Sequence, residues 1–383
     1  MHQHHVLRSA TSAIRRTMLG WGTVSVVALT FSPLLLSSAD AANAAPSATE
    51  QSEQHSSSWH VAQQAAVADG VYELVWSPSL KALFAAAANG FENERGGTVY
   101  RLDPQTLKIE QQWTLPHKAF GLTFDERTPT LFVGHTLDQA ISALNVDSGA
   151  IKTLQLVEPT PEPVEGEEKP FGPNPREMTL DPVTETLYIS GVGDDSVVWA
   201  IDAKTLTLKK TLPDFGVWAT GIVVDSAAQR LYVSTYKDSS VRVVDTSSGE
   251  IVARWAAGGE NPLNLALDAK GHRLFVTHAK SDTVSVIDTR SGKIMHQLDA
   301  GASSLAVKFD AHAQRLYVTQ RDAHRVMIFD TENYRRVGEQ MFETMPNSLA
   351  FDPDNATVWV SLKQPLDDKY QSKAPDGIAR LVP

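Results

Sequence analysis

LYVSTYKDSSVRVVDTSSGEIV, residues 231–252, and LFVTHAKSDTVSVIDTRSGKI, residues 274–294, are two copies of one pattern. Each copy follows a short apolar run that ends in Asp, Gly221–Asp225 (GIVVD) and Asn264–Asp268 (NLALD). The runs Arg230–Ser234 and Arg273–Thr277 come next, then Val241–Thr246 and Val284–Thr289. Ser248-Gly249 and Ser291-Gly292 make a tight turn before a last apolar stretch. Runs of β-branched and aromatic residues, cut by Asp, Ser, Gly and Pro turns, read as short antiparallel strands, four to a unit.

Outward from these two copies the pattern continues in both directions. Asp closes the first strand at 125, 181, 225, 268, 310 and 352, spaced 44, 43, 42 and 42 residues from Asp181 onward. A third-strand Asp recurs at 103, 147, 202, 245, 288 and 330. Val71–Gln112 is the least regular copy, with Ser77-Pro78 where the first Asp belongs, and Asn347–Val382 is the last. That makes seven units with four strands each and a period near 42 residues, the signature of an all-β, seven-bladed β-propeller of four-stranded antiparallel blades. A β-sandwich of repeated hairpins is the competing architecture, and it has no reason to keep so constant a four-strand unit. The last unit supplies only Ser348–Asp352, Thr357–Leu362 and Gly377–Val382. The spare strand His60–Val67 is expected to complete that sheet and close the ring, covering an edge that would otherwise invite aggregation.

Residues 1–41 read as a cleavable export signal: Arg8, Arg15 and Arg16, an apolar run from Met18 to Leu36, and an A-x-A site at Ala39-Asp40-Ala41. Residues 42–58, rich in Ala, Ser, Gln and Glu, read as a flexible leader, and 59–383 as one propeller. The expected location is the periplasm, with no membrane span after cleavage. The chain is acidic, with a formal net charge of −11, and contains no cysteine. Disulfides, thiolate catalysis, Cys-ligated zinc, iron–sulfur clusters and c-type haem attachment are thereby excluded.

In this topology the loops between second and third strands share one face with the blade-to-blade connections. Three of these are long: Asn89–Gly97, the acidic Pro-rich insertion 157–175, and Lys363–Asp376. On the same face the repeat register places Lys237, Lys280, Arg321 and Lys363 at similar heights, with Tyr236 and His278 beside them. Arg176, Trp218, Asn261, Asn264, His324 and Asn347 fall on neighbouring connections or strand starts. Cations among aromatic side chains suit an anion, and nucleic acid in particular, because phosphates meet the cations and bases stack on the rings. The repeated Asp residues spread around the ring rather than converge, so their expected role is accepting backbone hydrogen bonds in turns. His117, His135, His278 and His324 approach the same face without forming a close ligand pair. No catalytic residue, metal ligand or cofactor is predicted, and G-x-S-x-G, H-E-x-x-H, P-loop and EF-hand patterns are absent.

The quoted repeats resemble the YVTN-type β-propeller repeat. GGTVYRLDPQTLKI (96–109), PREMTLDPVTETLYISGVGDDSVVWAID (175–202) and PNSLAFDPDNATVWVSLKQ (346–364) are similar to the YncE family of bacterial periplasmic propellers. The resemblance covers about residues 60–383. It implies a seven-bladed periplasmic protein without established catalysis, with single-stranded DNA binding as a proposed activity, and it supplies no site residues. The acidic insertion 157–175 exceeds what the family needs, which puts nucleic-acid access to the rim in doubt. The reading that results is a non-enzymatic binding propeller for an anionic or extended ligand, engaged at rim and funnel. A protein-interaction scaffold for cell-envelope partners is its first alternative, and a periplasmic hydrolase or lactonase its second.

Overall fold

A computed structural model describes residues 59–90, 96–158, 171–367 and 372–383. The expected signal and leader therefore lie outside the described residues, as do 159–170 of the acidic insertion and the middle of the other two long loops. No helix among the described residues is long and apolar enough to cross a membrane.

The described residues form seven four-stranded antiparallel sheets. The strand facing the axis in each is, in chain order, Val71–Ser77, Gly121–Asp125, Asn174–Asp181, Ala219–Asp225, Pro262–Asp268, Ser304–Asp310 and Met345–Asp352. Consecutive inner strands touch and the last touches the first, so the ring is closed. The seventh sheet is completed by the N-terminal strand His60–Ala68, which pairs antiparallel with Asp376–Val382 from His60 opposite Val382 to Ala68 opposite Asp376. It is the outermost strand there, and Trp59, just before it, is buried edge-on against Tyr317 of the sixth blade.

Aromatic residues of the second strands hold the blades together. Phe84 stacks on Phe124 of the next blade, Phe275 packs on Phe309, Tyr317 on Phe351, and Trp359 on Trp76 across the closing seam, with ring centroids 4.8–6.1 Å apart. Such pairs contribute beyond their buried area. The first-strand Asp side chains accept turn N–H groups, as Asp225 does from Ala228 and Asp268 from Gly271. The third-strand series needs one correction. In the second blade the turn is held by Asn145, whose Oδ1 accepts from the Ser148 N–H, so Asp147 does not belong to the series.

Six of the seven inner strands carry a β-bulge at the same height, near the face where the blade-to-blade connections lie. A bulge frees a backbone N–H and re-aims side chains. The Ser or Thr that ends the second-strand motif serves the freed group. Glu177, Gly221, Asn264, Ala306 and Ser348 donate their N–H groups to Ser190, Ser234, Thr277, Thr319 and Ser361 at 2.8–3.2 Å. The hydroxyls of Ser190, Ser234 and Thr277 in turn donate to Thr220, Leu263 and Leu305 carbonyls of the following blade at 2.6–2.8 Å. The motif's hydroxyl thus fixes the bulge and links the blades. Gly221 allows the close approach this needs, since a Cβ there would sit 2.5 Å from the Leu263 carbonyl.

Candidate functional site

The bulges set the site. Residues at the bulge line the mouth of the central funnel: Tyr72, Phe120, Arg176, Thr220 and Asn347 at one level, with Glu73, Glu177, Asn264 and Ser348 one residue further along. Sequence register alone puts Arg321 and Lys363 level with Lys237 and Lys280, and the backbone pairing differs. The N–H groups of Tyr236, Ala279 and Arg321 donate to the carbonyls of Trp218, Asn261 and Ser303, while those of Lys237 and Lys280 donate one residue further on, to Val217 and Glu260. Arg321 therefore stands in the slot of Tyr236, and Lys363, by its strand pairing, does too. A one-residue slip in extended chain turns a side chain to the opposite side. Lys237 and Lys280 accordingly point to solvent, whereas Arg321 is part-buried and Lys363 is buried.

Lys363 is neutralised where it lies. Its ammonium pairs with Asp376 and sits 4.0 Å from the centre of the Tyr72 ring. Burial pushes the ammonium below the ordinary lysine value, with Asp376 opposing. Asp376 also accepts from the Val71 N–H at 2.9 Å and the Gln364 N–H at 2.7 Å. The group is a clasp between the seventh and first blades rather than an anion site.

Arg321 is different. Its Nε is buried without an acceptor, and no carboxylate lies within ion-pair distance among the described residues. Among the described residues its only side-chain contact of hydrogen-bond type runs from Nη2 to the Met345 sulfur at 3.9 Å. Burial lowers its pKa, partly offset by the fields of Tyr72, Asp322 and Asp376. Around it Tyr72 packs on Phe120 at 4.8 Å, and Asn347 donates to the Tyr72 carbonyl at 2.9 Å.

On the third and fourth blades the exposed Lys237 ammonium lies 4.5 Å from the Trp218 ring centre and 5.8 Å from that of Tyr236, which is buried. Trp218 packs against Tyr236 at 5.3 Å and Phe171 at 6.1 Å. Trp218 adopts φ +65°, where its counterparts are Gly70 and Asn261. For a bulky side chain this conformation costs on the order of 1–3 kcal/mol. Lys280 is exposed and makes no ion pair among the described residues.

His278 lies outside this surface. It is fully buried within its blade, its Nε2 hydrogen-bonded to Ser285 Oγ at 3.0 Å, and burial pushes it down to about 4. His135 repeats the arrangement with Ser142 at 2.8 Å. His117 pairs instead with Asp138 at 3.2 Å. No group of three or more His, Asp or Glu able to hold a metal occurs among the described residues.

At the same level, Arg176 reaches from the third blade to the fifth, its Nη1 donating to Asn264 Oδ1 at 3.0 Å, and lies 3.7 Å from Glu177. Glu73 Oε1 accepts from Ser348 at 2.6 Å. Burial, with Glu177 adding to it, raises the Glu73 carboxyl to about 7, while Lys308 and Arg176 act against the shift. Glu73, Glu177, Lys308, Tyr72 and Phe120 escape a reading by motif. For the two Glu residues the signal is positional, four residues before the first-strand marker, and for Tyr72 and Phe120 five residues before it; Ser77-Pro78 hides that offset in the first blade.

Comparison with known proteins follows the fold closely. The model of the family described as lactonase, 7-bladed β-propeller, matches residues 98–252. An uncharacterized protein YncE from Salmonella typhimurium is 39% identical over 321 residues, covering 83% of this chain and 89% of that protein. The Escherichia coli K12 protein of the same name is 35% identical with the same coverage.

Proposed function

As the chain belongs to the YncE family, we propose that it is a periplasmic binding propeller that holds an extended anionic ligand, of the single-stranded DNA kind, across the mouth of its funnel. The observation that carries the reading is Arg321, a part-buried guanidinium with no ion-paired carboxylate among the described residues, set beside Tyr72 and its ring neighbour Phe120. Buried charges are ordinarily paired, and an unpaired one invites an anion. Across the mouth, Lys237 over Trp218 offers a second cation with a ring on which a base can stack. The strained backbone of Trp218 is consistent with an indole kept for its surface.

The test is binding of a labelled single-stranded oligonucleotide across a salt series. Affinity falls linearly with salt on logarithmic axes if phosphates are held. Trp218→Ala should weaken binding by about 1–3 kcal/mol for one lost stack. Arg321→Ala should reduce both affinity and salt slope, without a folding penalty of the kind that follows when a buried ion pair is broken. No binding at low salt removes the reading.

A second reading, hydrolysis of a lactone or ester in the funnel, is favoured by Glu73, whose carboxyl titrates near neutrality as a general base should, and by the family match over 98–252. Turnover of a lactone panel that is lost in Glu73→Gln would establish it, and absence of turnover would set it aside.

A further inference from the structure

On the face opposite the funnel mouth, where the turns between first and second and between third and fourth strands lie, the closing seam differs from the seam between the fifth and sixth blades. At the seam between the fifth and sixth blades, Arg273 lies over both Phe275 and Phe309, at 5.6 and 5.7 Å, and is tied to Asp268 and Gln314. It fills the space above the aromatic pair. At the seam between the seventh and first blades the residue in that position is Thr357, and Ser77-Pro78 replaces the turn Asp. A groove of about 380 Å³ opens there, lined by the half-buried Trp76 and by Trp359, which is buried beneath it. The two indoles are stacked, with centroids 4.8 Å apart and planes inclined at 28°. Trp359 is held by its Nε1–H, which donates to the Pro104 carbonyl at 2.9 Å.

The other walls are hydrogen-bonding groups of mixed sign: Asp354, Asn355, Gln105, Lys81 and Arg380. Asp354, Asn355, Gln105 and Lys81 are exposed, and Asn355 is aimed by a bond from its Nδ2 to Asp352 at 2.6 Å. We propose that this groove is a saccharide-binding site for one or two neutral sugar rings. Its size lies at the small end of ligand sites. The C–H face of a pyranose carries partial positive charge and packs on the negative face of an aromatic ring. The hydroxyls around that sugar need donors and acceptors together, which carboxylate, amide and guanidinium groups on one rim supply. A simple anion would meet Asp354 and Asp352, and a simple cation would meet Lys81 and Arg380, so the lining selects a neutral polyol. The site is independent of the reading proposed for the funnel.

The test is calorimetric titration of the full chain with cellobiose, maltose and N,N′-diacetylchitobiose, with tetramethylammonium as the cationic counter-probe. At least one disaccharide should bind saturably in the millimolar range or tighter and change tryptophan fluorescence. The double variant Gln105→Ala, Asp354→Ala, both at exposed turn positions, should weaken that binding at least tenfold with an unchanged melting temperature. Lys237→Ala should leave it intact. The proposal fails if none of the three sugars binds, if affinity is the same in the double variant, or if tetramethylammonium binds in their place.

Discussion

Asp376→Asn tests the account of ring closure. The side chain is buried, and its carboxylate serves Lys363, the Val71 N–H and the Gln364 N–H at once. Val71 opens the inner strand of the first blade, and Asp376 begins the third strand of the seventh, so the carboxylate joins the two blades at the closing seam. Asparagine keeps the shape, removes the charge and turns an N–H group toward one of the donors. Lys363, buried over Tyr72, is then left without its counter-ion. Breaking a buried pair from one side costs about 3–5 kcal/mol. An unfolding entropy of roughly 2.1 cal/mol/K per residue, taken over Ser58–Pro383, amounts to roughly 0.7 kcal/mol/K. The melting temperature should therefore fall by about 4–7 °C, read by circular dichroism at pH 7. Lys363→Met added to the variant removes the stranded charge and should recover part of the loss. A melting temperature within a degree of wild type for Asp376→Asn alone would refute the clasp.

Deleting residues 60–67 strips most of the closing strand from the edge of the seventh blade, and the expected cost is on the order of the whole net stability, about 5–15 kcal/mol; an unchanged melting temperature would overturn the closure argument. Ser234→Ala leaves the Gly221 N–H and Leu263 carbonyl unserved at a buried bulge, and should cost about 1–3 kcal/mol in urea unfolding. Between about pH 4.5 and 7 folded Glu73 retains a proton that the unfolded chain has released, so its contribution is fully present below that window and is lost as pH rises through it. Glu73→Gln should therefore gain on the wild type from pH 4.5 to pH 8 by on the order of 1–3 kcal/mol, measured as the change in the stability difference between the two.

The fold was legible because the repeat states it many times over. Six first-strand Asp residues, constant spacing and a spare strand at the start suffice for a closed seven-bladed ring, and the closing strand runs only one residue beyond the expected His60–Val67. The site was legible only in part. Trp218, Tyr236 and Lys237 do come together, as do Arg176 and Asn264. Matching charge to charge puts Arg321 and Lys363 one residue out of register, because the alternation of the strand decides which side a residue faces. His278 reads as a rim residue because its position at the end of a strand is visible in sequence and its bond to Ser285, seven residues on, is not. Glu73 and Tyr72 lie in the one copy whose turn lacks the marker Asp.

Apart from His278, in the fifth blade, these misses fall near the closing seam for a physical reason. From the third blade to the seventh, a second-strand hydroxyl closes each bulge, and the first three of them also bridge to the next blade. The first and second blades have Ala86 and Gly134 in that position and cannot do so. At the closing seam the Leu74 N–H is served instead by Ser348 from across the junction, and the same hydroxyl donates to Glu73. A repeat that satisfies its own backbone can carry apolar funnel positions, as at Leu263 and Leu305. Where the repeat fails, side chains must supply the missing partners, and polar and charged groups are retained at the axis to do it. Asn347, Ser348 and Asp376 answer that need, with Glu73 and Lys363 bonded to the last two. Arg321 stands among them, and among the described residues its side chain serves none of these backbone groups.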